Sequence, residues 1–146
     1  MKFWDASAAA LLCVAQSASD RARDWARDDG IVVWWGTRVE CSSAIARLRR
    51  EGLFSDDQEA AARAALMRLV EGWREVAPSE ALRNHALRLV RLHPLRAADA
   101  LQLAAALEWM EGDPNGATLV TGDRQLGRAA QSEGFEVWSP FAPPEP

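Results

Sequence analysis

The chain has 146 residues, 49% of them apolar and 26% charged, which suits one domain with a hydrophobic core and is too apolar for a disordered chain. No apolar run approaches the roughly 20 residues that cross a bilayer, and no self-similar segment recurs at a fixed period, so membrane spans and solenoids are excluded. The net charge of −4, with Lys2 the only lysine among 17 basic residues, excludes a protein that coats nucleic acid through clustered cations, while a local arginine patch stays open.

In chain order, Lys2-Phe3-Trp4-Asp5 is a short apolar strand, and the Ala-rich stretch from Ser7 to Ala15 predicts a helix after a tight turn. Lys2, Ala6 to Ala15 and Gln16-Ser17-Ala18 imitate a secretory signal, but Asp5 breaks the apolar segment. The two cysteines, Cys13 and Cys41, lack metal-site spacing and read as small core residues, which also favours a reducing compartment. A cytoplasmic location is expected on both grounds. Ser19 to Arg27 is a second helix with Trp25 on its apolar side, closed by Asp29-Gly30. Ile31 to Trp35 is a buried strand. After Gly36-Thr37, the residues Val39, Ala44, Ile45 and Leu48 recur at helical spacing as far as Glu51-Gly52.

Ser55 to Val70 is a helix opened by Ser55-Asp56-Asp57-Gln58, which has the capping-box form. Trp73 to Ala77 is a weak strand, and a helix from Pro78-Ser79-Glu80 runs to the stop at Pro94. A very apolar helix extends from about Leu95 to Met110, followed by a cluster of turn residues from Glu111 to Gly116. Ala117 to Thr121 is a strand, Asp123 to Ser132 a helix, and Phe135 to Trp138 a last strand. The single domain is drawn over 1–139, and 140–146 is a Pro-rich tail expected to fray. Strands separated by helices, without hairpin signals, predict an α/β fold with a mostly parallel sheet covered on both faces.

Sites in such sheets lie beyond the carboxyl ends of the strands. Asp5 ends the first strand, Glu40 falls in the first turn of the helix after the second, and Asp123 follows Thr121. Asp99 is the one ionisable residue between Ala97 and Leu107, in a helix otherwise apolar except for Gln102, which predicts burial of that helix. Each acid also has a plainer role. Asp5 and Asp123 suit helix N-caps, Glu40 can close a capping box in Thr37-Arg38-Val39-Glu40, and Asp99 suits its own helix dipole. Converging acids without matching Lys or His repel one another, an arrangement that a divalent cation among them relieves. Oxygen donors with no Cys or His nearby suit Mg²⁺ or Mn²⁺, and such a site suits phosphoester hydrolysis.

Four segments carry a resemblance: Phe3-Trp4-Asp5-Ala6-Ser7-Ala8; Val39-Glu40-Cys41-Ser42-Ser43-Ala44-Ile45; the run from Leu95 through Asp99 to Ala104; and Leu119-Val120-Thr121-Gly122-Asp123. Together, in this order, they resemble the four acidic motifs of PIN-domain ribonucleases, VapC-type toxins most closely. The resemblance implies a three-layer α/β/α fold with a five-stranded sheet in the order 3-2-1-4-5. It implies Mg²⁺ or Mn²⁺ held by Asp5, Glu40, Asp99 and Asp123, with Ser7 and Thr121 orienting ligands or substrate, and endonucleolytic cleavage of RNA. It further implies a homodimer held silent by a cognate antitoxin protein whose C-terminal segment blocks the acidic cleft. Trp34-Trp35 departs from the family pattern, which has smaller residues there.

Arg38, Arg96 and Arg124 each lie within three residues of a proposed acid and can either hold RNA phosphate oxygens or balance carboxylate charge. Arg47-Leu48-Arg49-Arg50 can meet RNA or an acidic partner, or simply end a solvated helix. Most of the seven Trp read as core, with Trp35 the best candidate for base stacking. His85 and His93 lie far from the acid motifs, against Ser/His or Cys/His hydrolysis. A receiver-type signalling domain would need a pocket Lys, and a haloacid-dehalogenase-type phosphatase a second Asp at Ser7. The alternative left open is a PIN-like module that binds RNA or protein without catalysis.

Overall fold

Within the central strands, successive side chains face opposite ways, and beyond the opening Lys2 of one and Thr118 of another they are apolar. Phe3, Val32, Trp34 and Leu119 face one side of the sheet, and Trp4, Val33 and Val120 the other. Burial on both faces is what a parallel sheet covered by helices requires. The computed structural model describes residues 1–15 and 18–142. Gln16 and Ser17 of the leader-like stretch, and 143–146 of the tail, lie outside the described residues.

The strands are β1 (Lys2–Trp4), β2 (Ile31–Trp34), β3 (Arg74–Val76), β4 (Thr118–Val120) and β5 (Glu136–Trp138). They form one sheet in the order β3-β2-β1-β4-β5, and all four pairings are parallel. The sheet is therefore parallel throughout, where the sequence predicted a mostly parallel one. One face is covered by α5 (Glu80–Leu92), α6 (Ala97–Trp109) and α7 (Arg124–Glu133), with Leu82, Leu89, Leu103 and Leu126 in the core. The other carries α1 (Ala6–Ala9), α2 (Ser19–Asp28), α3 (Thr37–Arg50) and α4 (Asp56–Gly72), with Leu11, Ala22, Ile45 and Leu66. The layers are α/β/α. Among the described residues no helix is long and apolar enough to cross a membrane.

Local chemistry sets most element ends. Ser55 caps α4 in a complete capping box with Gln58, Ser79 caps α5, and Gly134 ends α7 at φ 107°, a conformation that costs glycine nothing. Three expectations are corrected. The helix predicted from Ser7 to Ala15 is a four-residue α1 followed by a 3-10 turn, Ala10–Leu12. Ala8, Ala9, Leu11, Cys13 and Val14 are all buried, more than one helical face can hide, so the segment coils into the core rather than along it. The capping box predicted from Thr37 to Glu40 does not form, because Gly36 is the N-cap and Thr37 is already inside α3. Trp35 leaves the strand and is 56% exposed, its ring edge-on to Trp34 at 6.3 Å.

The order of the strands determines where a site can form. The chain runs outward from β1 through β2 to β3, then returns to the other side of β1 for β4 and β5. The two outgoing directions diverge between β1 and β4, and the crevice beyond their carboxyl ends is the place such sheets leave open.

Candidate active site

Asp5 lies at that crevice. Its backbone N–H donates to the Val120 carbonyl of β4 at 3.1 Å, which fixes the start of α1 against the neighbouring strand. Its carboxylate caps α1 by accepting from the Ala8 N–H at 3.0 Å, and it accepts from the Ser7 hydroxyl at 2.8 and 2.9 Å. Ser7 Oγ in turn accepts from the Gly122 N–H at 2.8 Å and lies 3.4 Å from Thr121 Oγ1, which accepts from the Asp123 N–H at 2.9 Å. One small hydroxyl thus joins β1, α1 and the turn after β4. Asp123 caps α7 by accepting from the Leu126 N–H at 2.9 Å.

The other two acids enter from helix N-termini. Asp99 sits in the first turn of α6, which starts at Ala97 and not at Leu95. Its helix is buried from Gln102 to Leu107, as predicted, but the first turn opens to the cleft and leaves Asp99 half-buried. Glu40, in the first turn of α3, accepts from Gln102 Nε2 at 2.9 Å. Gln102 is 1% exposed and also exchanges hydrogen bonds with the buried Thr37 hydroxyl, at 3.2 and 3.4 Å. The one polar exception in the apolar helix is therefore a bracket for Glu40. Its position three residues after Asp99, on the same helical face, was the available sequence signal.

Burial dominates the electrostatics of Asp5, Glu40 and Asp99, with repulsion from neighbouring acids added at Glu40 and Asp99. Burial pushes the Asp5 carboxyl up to about 6, although hydrogen bonds from Ser7, Ala8 and Thr121 oppose the rise. Burial pushes Glu40 up to about 7 against the Gln102 hydrogen bond, and the charges of Asp5 and Asp99 add to the rise. Asp99 is raised by burial and by Asp123, with the Arg96 backbone N–H and guanidinium opposing. Among the described residues, ion pairs engage Asp20, Asp24, Asp29, Asp56, Glu59, Glu80 and Glu133, and none engages Asp5, Glu40, Asp99 or Asp123.

The donors offered are carboxylate oxygens, the type that a hard divalent ion takes. Among the described residues no three carboxylate, imidazole or thiol groups stand as a ready-made cage. Magnesium-type ions are nonetheless held by one or two carboxylates together with water and phosphate oxygens, and do not require such a cage. Carboxylates that repel one another and form no ion pair among the described residues are the donors such an ion suits.

A cleft of about 710 Å³ has Glu40 and Asp123 in its wall, with Ser7, Arg47, Arg96 and Phe141 among its other lining residues. Of the arginines near the acid motifs, Arg96 reaches this cleft. Arg38 reaches Met67 on α4 at 3.3 Å, and Arg124 lines a separate depression beside Thr121 and Asp123. The basic run of α3 divides: Arg47 faces the cleft, while Arg49 is paired with Asp56 and Glu59. Trp35 lines no part of the cleft. Its aromatic residue is Phe141, which the composition had assigned to the tail.

No protein-family model matches the chain, and no curated protein matches it. Solved structures do. PAE2754 from Pyrobaculum aerophilum superposes with a TM-score of 0.66 at 23% identity, over 93% of this chain and 87% of that one. FitAcB from Neisseria gonorrhoeae gives 0.66 at 15% identity, over 97% and 99%. A toxin-antitoxin complex from Klebsiella pneumoniae gives 0.59 at 16% identity, over 97% and 98%. At these identities the likeness is one of fold, and the fold is the PIN-like α/β/α arrangement with strand order 3-2-1-4-5 that the acidic motifs imply.

Proposed function

We propose that this chain is a metal-dependent endoribonuclease that hydrolyses RNA phosphodiester bonds at Asp5, Glu40, Asp99 and Asp123, and that it acts as the toxin of a toxin-antitoxin pair. One observation carries the reading. Asp5 and Asp123 follow the adjacent strands β1 and β4, Glu40 feels the charges of Asp5 and Asp99, Asp99 feels that of Asp123, and among the described residues none of the four forms an ion pair.

Asp5 and Asp99 would be the firmest ligands to Mg²⁺ or Mn²⁺, with Glu40 and Asp123 beside them. A bound ion supplies Lewis acidity toward a phosphate oxygen and a more acidic bound water. The chain's own groups hold the geometry. Ser7 and Thr121 fix the Asp5 carboxylate, and Gln102 keeps Glu40 from turning away. Arg96, exposed at the cleft wall, suits bidentate contact with a phosphate. The toxin role and an antitoxin partner draw support from the fold likeness to a toxin-antitoxin complex over nearly the whole chain. A homodimer enters through the resemblance of the motifs alone.

The test is cleavage of a pool of structured RNAs by the purified chain with Mg²⁺, Mn²⁺ or EDTA, beside an identically prepared Asp5→Ala/Asp99→Ala variant. Cuts that need metal and vanish in the variant are expected. Undiminished cleavage by a folded Asp99→Ala protein would overturn the assignment. Metal binding with no cleavage of any RNA would instead favour a PIN-like binding module.

A further inference from the structure

The acidic cleft has lining residues that the hydrolytic chemistry does not use. Ala10, Leu11 and Val14 make part of its wall apolar, and Phe141 lines it as well. Phe141 is 54% exposed, yet it is not loose. A Cβ placed on Gly122 would lie 2.6 Å from its ring, so the phenyl group rests on the bare backbone of the turn between Thr121 and Asp123. The segment that carries it is held by Arg21, whose guanidinium donates to the Pro140 carbonyl at 3.3 Å and to the Ala142 carbonyl. Two cations, Arg47 and Arg96, line the same cleft, and among the described residues neither forms an ion pair.

Resting on the ribonuclease reading above, we infer that Phe141 is a stacking platform for one nucleobase of single-stranded RNA beside the scissile phosphate, with Arg47 and Arg96 receiving the flanking phosphates. An aromatic ring held at the edge of a phosphoester site, with guanidinium groups along the strand's path, is how single-stranded nucleic acid is gripped without reading base identity. Gly122 makes the contact possible, because any side chain there would displace the ring. Phe141 is a substrate-binding residue in this scheme and takes no part in bond breaking.

The experiment compares wild type with Phe141→Ala, Phe141→Leu and Phe141→Trp. Affinity for a labelled single-stranded RNA is measured in EDTA, and cleavage in Mn²⁺. Thermal unfolding and Mn²⁺ binding of each variant serve as controls for folding and for the metal site. The Ala and Leu variants are expected to lose about tenfold in RNA affinity and in kcat/KM, and Trp to restore both. An abasic nucleotide moved through the positions around the cut is expected to cost wild type about tenfold at one position and Phe141→Ala nothing there. Equal abasic penalties in the two proteins, or wild-type affinity and cleavage in Phe141→Ala, would overturn the platform. So would faster cleavage by Phe141→Ala, which would make the ring an occluder of the cleft. If wild type itself neither binds nor cleaves RNA, the ribonuclease reading fails and takes the platform with it. Metal-dependent cleavage with no Phe141 dependence removes the platform alone.

Discussion

Asp5 combines two roles that pull in opposite directions. As an N-cap it stabilises α1 through the Ala8 N–H, but at 4% exposure and without an ion pair its negative charge is costly to bury. Asn caps a helix about as well as Asp and carries no charge. Metal-free Asp5→Asn is therefore expected to unfold at or above the wild-type temperature, while losing metal-dependent RNA cleavage. A clear fall in its melting temperature would show that the charge itself supports the fold. Gln102 makes a different prediction. Gln102→Leu strips the buried Thr37 hydroxyl and Glu40 of their partner, at an expected cost of about 1–3 kcal/mol in urea unfolding. If Gln102 positions Glu40, the same variant weakens Mn²⁺ binding about 10- to 100-fold and leaves RNA affinity in EDTA unchanged. A stability loss with unaltered Mn²⁺ binding would confine it to packing.

At the scale of elements, α5 and α7 are joined across their ends by Glu133. Its carboxylate takes both guanidinium nitrogens of Arg88, at 2.7 and 3.3 Å, and pairs with His93 Nε2 at 2.7 Å. Burial alone would raise its pKa, but the hydrogen bonds and charges of Arg88 and His93 outweigh that and hold it below the usual value. A lowered carboxyl contributes stability that is fully present above the ordinary glutamate range and is lost as pH falls through the folded value. Glu133→Gln is thus expected to cost about 1–2 kcal/mol at neutral pH and progressively less below about pH 4.5, read from melting temperature against pH. A constant difference across that range would count against the ion pair. Elements whose ends depend on local chemistry were legible in the sequence, as α4 shows through Ser55 and Gln58. Those decided by tertiary burial were not. The Ala-rich segment after Asp5 has ample helix propensity, yet its buried residues cover more than one face. Glu40 fitted a capping box in sequence, and only the distant Gln102 shows where its carboxylate goes. Phe141 sits among prolines and was legible only as tail, because its place is decided by Gly122 and Arg21, well over a hundred residues from one of them.

On the scale of the whole molecule, the four acids stand on elements from both sides of the sheet. Asp5 and Asp123 follow its two innermost adjacent strands, Asp99 begins a helix on one face, and Glu40 lies in the first turn of a helix on the other. The repulsion felt by Glu40 and Asp99 acts where the layers meet rather than in one surface loop, so relieving it is expected to be felt across several elements. A divalent ion that binds the folded state alone stabilises it by about 2.7 kcal/mol at one hundred times its dissociation constant. For a domain of this size that corresponds to roughly 9 °C in melting temperature. Addition of Mn²⁺ is accordingly expected to raise the melting temperature of wild type, and to slow hydrogen exchange in β1, β4 and the first turns of α3 and α6 together. Asp5→Asn/Asp99→Asn should show neither effect, although its metal-free form is no less stable. If Mn²⁺ protects only one of these elements, the acids do not share an ion. If it protects none, the gathering of carboxylates at the switch point is not a metal site, and the hydrolytic reading falls with it.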